Sequence, residues 1–430
     1  MGVVTTPDAL RDTHRTIDAV WRIEAAKLIA ALARIVRDVG RAEELAQDAL
    51  VAALEQWPTE GIPEKPGAWL MAAAKHRAID QIRRNVLLER KHEQLGHELQ
   101  EQQAQTGLDL SAELDDSIGD DLLRLVFTAC HPILSEEARV ALTLRLVGGL
   151  TTNEIARAFL VPEPTMAQRI VRAKRALSEA HVPFEVPQGQ ELSARLASVL
   201  QVIYLIFNEG YAASAGEDWV RPALCEDAMR IGRILAALAP AEPEVHGLVG
   251  LMEIQASRLR TRTDASGNLV PLLDQDRSRW DQLLIHRGLS ALQRAASLNA
   301  IPGVYALQGE IAACHAKALT AAGTNWTRIA SLYEALAALT HSPIVELNRA
   351  VAVGFAVGPQ AGLDIVDALV REGALQGYHL LPTVRADLLE RVGRHEEARA
   401  EFERAAAIAG NNRERQFLLA RARKLPAAAV

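Results

Sequence analysis

The sequence predicts an all-α protein, and three observations carry that prediction. Apolar residues make up 49% of the 430 residues while aromatics make up only 4%, and Ala, Leu and Arg, all strong helix formers, are abundant. Apolar positions recur at i, i+3, i+4 and i+7 in most segments, the spacing of a single helix face. Thr151 and Glu154 form a capping box of the S/T-x-x-E type, and the break Leu160–Val161–Pro162–Glu163–Pro164 follows, with Pro164 suited to the first position of a new helix.

Taken in order, residues 17–38 form a first helix with an expected apolar face of Val20, Ile23, Leu28, Leu32 and Ile35. Residues 41–57 form a second, with Glu43, Glu44, Gln47 and Asp48 on its polar side. Pro58, Gly61, Pro63 and Pro66 then enforce a loop. A third helix runs from Gly67 through Arg84, with a core face of Trp69, Ala72, Ala73, His76, Ile79 and Ile82. Lys75, Arg77, Arg83 and Arg84, followed by Arg90 and Lys91, make it strongly cationic.

Segment 92–121 reverses the charge, with nine acids and no Lys or Arg. Its low hydrophobicity does not repay ordering entropy, so about 95–118 reads as a flexible tether. Helices resume after it: Ser135 with Glu136 and Glu137 starts one, and Gly148–Gly149 ends it.

Residues 151–177 read as a helix-turn-helix. In the second helix Met166, Ile170, Ala173 and Leu177 share the packing face, while Thr165, Gln168, Arg169 and Arg172 lie on the other side. Lys174 and Arg175 follow, placed for phosphates. A helix over 164–177 with four cations and no acid needs a polyanion to face, and duplex DNA is the commonest one. The bland alternative is a basic helix in an ordinary bundle.

From about residue 184 the chain reads as paired helices separated by Gly, Pro or acidic loops. Leu347–Ala350 and Ala386–Leu389 lie about forty residues apart, each followed by a Gly turn and another helix, close to the ~34-residue helical-hairpin repeat.

The net charge of −7 does not argue against nucleic acid, because the charge is segregated along the chain. Cys130, Cys225 and Cys314 form neither a metal spacing nor an even disulfide set, which points to a reducing compartment. The N-terminus carries no hydrophobic signal region and no apolar run spans a membrane, so a soluble cytoplasmic protein with no membrane contact is expected.

The cluster LLDQDRSRWD places Asp274, Asp276, Arg277, Arg279, Trp280 and Asp281 together. Paired carboxylates beside an aromatic occur in glycosidases. Yet the sequence has no nucleophile elbow, no HExxH and no glycine phosphate loop, so no enzyme, cofactor or metal is expected. Arg277, Trp280, Asp281 and Leu284 share one face at helical spacing, which suits an interdomain staple or a regulatory ligand or partner site. NEGY at 208–211 reads as a helix end beside a pocket.

Residues 17–183 resemble the extracytoplasmic-function (ECF) sigma factors of bacterial RNA polymerase. The phrases that carry the resemblance are RAEELAQDALVAAL, GAWLMAAAKHRAIDQIRR and SEEARVALTLRLVGGLTTNEIARAFLVPEPTMAQRIVRAKRAL. The rest resembles the subgroup with a long tetratricopeptide-like extension, at YLIFNEGYAAS and LLDQDRSRWD. The resemblance implies four parts: a region 2-like domain at 1–94, an acidic linker at 95–118, a region 4-like helix-turn-helix domain at 119–183 and a helical extension at 184–430.

It further implies core polymerase, through its clamp and flap, and promoter DNA as partners. Glu43, Glu44, Gln47 and Asp48 would meet the clamp, and Lys75, Arg83 and Arg84 the phosphates of the −10 element. The Pro58–Pro66 loop would capture a flipped base. Thr165, Gln168, Arg169, Arg172, Lys174 and Arg175 would contact the −35 element. Many relatives have Asn at the place of His76, which here reads as a packed histidine. The tether reads either as a nucleic-acid mimic or as a spacer. The competing reading is a free-standing helix-turn-helix regulator with a ligand- or partner-sensing helical domain, which has no reason to carry the 41–56 helix.

Overall fold

The computed structural model describes residues 7–93, 118–159, 161–211, 220–264, 269–299, 301–409 and 412–426. Eighteen α-helices and no strands run through the described residues. The chain divides into two compact units, residues 1–203 and 204–430. The acidic tether lies almost wholly outside the described residues.

The first unit opens with α1 (Pro7–Val36), α2 (Val39–Glu60) and α3 (Pro66–Glu93). Ile17, Leu28, Ile29 and Leu32 of α1 are buried, whereas Ile23, expected in the core, is 64% exposed. Helix α2 starts on the Asp38 side chain, which accepts from the Arg41 N–H. It continues through Pro58 to Glu60 and ends at Gly61 (φ 89°). Pro58 therefore sits inside the helix rather than breaking it, and the loop shortens to residues 61–65.

The packing face of α3 is Leu70, Ala74 and Ala78, all buried, while Ala72 and His76 are exposed. This face packs on both α1 and α2, and its alanines let the helices approach closely. Trp69 packs edge-on against buried Trp57, ring centroids 5.4 Å apart.

Next come α4 (Ile118–Ala129), α5 (Glu136–Leu146), α6 (Thr152–Ala158) and α7 (Glu163–Glu179). Ser135 caps α5 as expected, accepting from the Ala138 N–H. Within this unit α4 packs on α1, and α7 packs on α2 as well as on α5 and α6. Helix α8 (Gly189–Tyr211) crosses the division between the units. In the first unit its Arg195 donates to the Phe127 carbonyl at 2.9 Å and its Ser198 to that of Cys130 at 3.0 Å.

The second unit continues through α9 (Pro222–Leu238), α10 (Pro243–Ala256), α11 (Gln282–Leu298), α12 (Val304–Ala316), α13 (Trp326–Thr340), α14 (Pro343–Ala356), α15 (Pro359–Arg371), α16 (Leu380–Arg391), α17 (His395–Ile408) and α18 (Asn412–Lys424). Most of these helices pack chiefly on their sequence neighbours, while α12 packs more on α10 than on α11. Pro at the first or second position starts α9, α10, α14 and α15, where its missing N–H costs nothing. Leu347, Ala350, Ala386 and Leu389 share one core with Phe402 and Leu418. At the α10–α11–α12 crossing Gly247, Gly250, Gly288 and Gly309 leave no room for a side chain: a Cβ at Gly250 would lie 2.8 Å from Leu292 and 2.9 Å from the Gly288 carbonyl.

Candidate nucleic-acid interface

The helix-turn-helix is fixed at the start of its first helix. The Thr151 N–H donates to Glu154 at 2.8 Å and the Glu154 N–H to the Thr151 hydroxyl at 3.2 Å, the reciprocal box expected from sequence. Burial alone would raise the Glu154 pKa, but the Thr151 N–H and hydroxyl and the Arg22 guanidinium outweigh it and hold the carboxyl below its usual range. Asn153 donates to Glu163 at 2.8 Å, fixing the start of the second helix relative to the first. Helix α7 begins at Glu163, one residue before the expected start, with Pro162 at the N-cap. It therefore carries an acid at each end, Glu163 and Glu179.

Met166, Ile170, Ala173 and Leu177 are all buried on the inner face of α7. Thr165, Gln168, Arg172 and Arg175 are exposed and Arg169 is half-buried. Arg175 meets Glu179 at 2.6 Å, with 76% and 61% of the two side chains exposed, a pair that solvent screens and a phosphate displaces cheaply.

Two of the expected contact residues lie elsewhere. Glu43 does not join the outward polar stripe of α2: it is only 2% exposed. It accepts from Arg145 of α5 at 2.6 Å, accepts from Gln47 and pairs with the ammonium of Lys174. Lys174 correspondingly faces the α2–α7 seam, with 20% of its side chain exposed, rather than the outward face expected of a phosphate contact. Charges in such a seam require counter-charges, and a pattern read along one helix cannot see residues that arrive from others. Glu44 and Asp48 are exposed and Gln47 is half-buried.

A second buried acid, Asp121, joins α4 to α1, meeting Arg34 at 3.0 Å and Arg124 at 2.7 Å. Arg22 of α1 meets Glu154 of α6 at 2.5 Å. Arg34, Asp121 and Arg145 were missed from sequence. In the sequence Asp121 is the last acid of the acidic 92–121 segment, just beyond the tether, and the one available signal was a charge at the start of an otherwise apolar helical segment.

On α3, Lys75 is half-buried, and the side chains of Arg83 and Arg84 lie outside the described residues. In the second unit the LLDQDRSRWD cluster does not form one helical face. Residues 277–279 make a 3-10 turn and α11 begins at Gln282, with Asp281 as its N-cap. Asp276 accepts from the Ser278 N–H and hydroxyl, which hold its carboxyl below the usual range. Asp274 and Arg279 are exposed.

Arg277 is buried and donates to the carbonyls of His315 (2.8 Å) and Ala318 (3.0 Å) and to the Thr324 hydroxyl (3.0 Å). It thus ties the start of α11 to the turn between α12 and α13. No cluster of metal-ligating side chains occurs among the described residues, and no described helix is long and apolar enough to cross a membrane.

Comparison with known proteins agrees with this geometry. Residues 22–86, from α1 through α3, match Sigma-70 region 2, and residues 124–177, from α4 through α7, match Sigma-70 region 4. The chain is 30% identical over 153 residues to the ECF RNA polymerase sigma factor SigK of Mycobacterium ulcerans (strain Agy99), covering 34% of this chain and 75% of that protein. The chain belongs to the ECF sigma factor family. It is a transcription initiation factor, with RNA polymerase and promoter DNA as partners.

The sigma factor also matches, at residues 195–296, a family of unknown function (DUF6596). It is 42% identical over 392 residues to an uncharacterized protein of Rhizobium meliloti (strain 1021), covering 91% of each chain. No solved structure matches the chain.

Proposed function

We propose that the sigma factor binds the polymerase clamp with Glu44, Asp48 and Gln47 of α2 and engages the −10 element with α3 and the 61–65 loop. Thr165, Gln168, Arg169 and Arg172 of α7 would read the −35 element, with Arg175 on phosphate. The observation that carries this reading is the two-sided character of α7, apolar inside and cationic and polar outside, as a helix in a major groove must be.

The seam extends the reading. Arg145 and Lys174 lie against Glu43, so the promoter-reading and polymerase-binding helices hold each other closed in the free chain. Polymerase and DNA then have to separate α2 from α7 before both can be engaged, which lowers apparent affinity by the fraction of chain that is open. The 204–430 unit controls that step from within the same chain, in the cytoplasm and without a separate inhibitor.

Run-off transcription with purified core, using the full chain and residues 1–203, tests the proposal. Promoter-dependent transcripts are expected from both, in different amounts. Absence of core binding by the full chain, with sequence-specific DNA binding retained, overturns it in favour of a free-standing regulator.

A further inference from the structure

Two sequence phrases that promoter binding leaves unused, NEGY at 208–211 and LLDQDRSRWD at 272–281, meet in the second unit around Arg258 and Arg262. The Asp281 N–H donates to the Ser257 carbonyl at 2.9 Å, which brings the second phrase beside Arg258. The Arg258 and Arg262 guanidiniums lie over the Tyr211 ring, 5.5 and 3.9 Å from its centroid. Arg277 lies 5.3 Å from the Trp280 ring. The charge of Arg258 also reaches Arg277 and His315: burial first, then this charge, depresses both, and His315 falls to about 3.

The terminal nitrogens of Arg277 are satisfied by the His315 and Ala318 carbonyls and the Thr324 hydroxyl, but other polar groups of the cluster lack partners. Tyr211 Oη, Arg262 Nε, Arg277 Nε, Trp280 Nε1 and His315 Nδ1 are all buried without a hydrogen-bond partner. Among the described residues none of the ion pairs involves Arg258, Arg262 or Arg277; the acids of the nearby motif instead cap turns, Asp276 at Ser278 and Asp281 at Leu284. Gathering like charges beside unpartnered buried polar atoms is unfavourable for the protein alone. An oxyanion would relieve both, because its lone pairs match the guanidinium fork and its charge offsets the field.

We propose that Arg258 and Arg262, with the Tyr211 hydroxyl, form a binding site for a small oxyanion, the phosphate or carboxylate group of an effector metabolite, with the charge of Arg277 nearby adding to the attraction. The site lies within the second unit and stands whether or not the promoter surfaces act as proposed. Calorimetric titration of the full chain with inorganic phosphate and with succinate at fixed ionic strength tests it, alongside thermal melts.

Saturable binding of at least one of the two anions is expected, and the one that binds tells phosphate from carboxylate recognition. Arg262→Gln and Tyr211→Phe should each weaken it about tenfold or more, whereas Arg279→Gln at an exposed position should not. Tyr211→Phe keeps the ring and removes only the hydroxyl, so it reports even if Arg262→Gln fails to fold. The proposal is overturned if neither anion binds saturably, or if both variants bind as the unaltered chain does.

Discussion

Glu43→Gln is the most informative single change in the sigma factor. It keeps the side-chain volume and the hydrogen bonding with Gln47 but removes the charge that Arg145 and Lys174 share in the seam. Removing one partner of a buried ion pair costs about 3–5 kcal/mol when the others stay buried. Here both cations keep an outlet, with 19% and 20% of their side chains exposed, so a loss of about 2–3 kcal/mol from the closed arrangement is expected. That corresponds to a shift of roughly 30- to 150-fold in a closed–open equilibrium.

Two readouts check the variant. Fluorescence energy transfer between labels on α2 and α7 should show a larger open population. Affinity for a promoter duplex should rise, because Lys174 is released and less closed chain competes. A residue that merely stabilised the fold would lower DNA affinity, so the direction of change separates the two roles. Glu44→Gln, at an exposed position of the same helix, should leave both readouts within about 0.5 kcal/mol. Unchanged label distances together with unchanged or weaker DNA binding in Glu43→Gln would refute the closed α2–α7 seam.

Arg172→Ala should weaken binding of the cognate duplex by about 1–3 kcal/mol and relax preference at one base pair. Arg175→Ala should weaken all sequences alike and reduce the salt slope by about one; competition binding across salt concentrations distinguishes them. Gly250→Ala should destabilise the second unit by about 1–3 kcal/mol, because its Cβ would lie 2.8 Å from Leu292, which urea unfolding reads directly.

His315 is held neutral by burial and by Arg258 and Arg277, with its pKa moved from 6.5 to about 3. The unfolded chain therefore takes up a proton that the folded chain refuses. Stability from this group is intact above pH 6.5 and falls as pH drops toward 3, at up to about 1.4 kcal/mol per pH unit. His315→Gln should flatten that slope in pH-dependent melts, and an unchanged slope would assign the acid sensitivity to other groups.

Helix order, the capping box at Thr151 and the division of α7 into a buried and an outward face were legible in the sequence, because each depends on residues three or four apart. The face of α3 was not, because the expected stripe through Ala72, Ala73 and His76 and the buried one through Leu70, Ala74 and Ala78 lie side by side on one helix, and which is covered depends on how α1 and α2 pack on it. The helical face expected of Arg277, Trp280 and Asp281 failed for a related reason: Asp281 spends its carboxylate on capping α11, which stops the helix from running back through the motif.

Local chemistry alone thus determined that this chain is helical and that one helix presents Arg172 and Gln168 outward, while the two sigma-like segments came from the resemblance of its motifs. Only the tertiary structure decided that Glu43 and Lys174 face each other and that Arg258 and Arg262 meet the Tyr211 ring. Charges act through space and not along the chain, so the partner of a buried acid or arginine is set by which helices pack together, and that packing follows from apolar faces whose mutual fit no single segment contains.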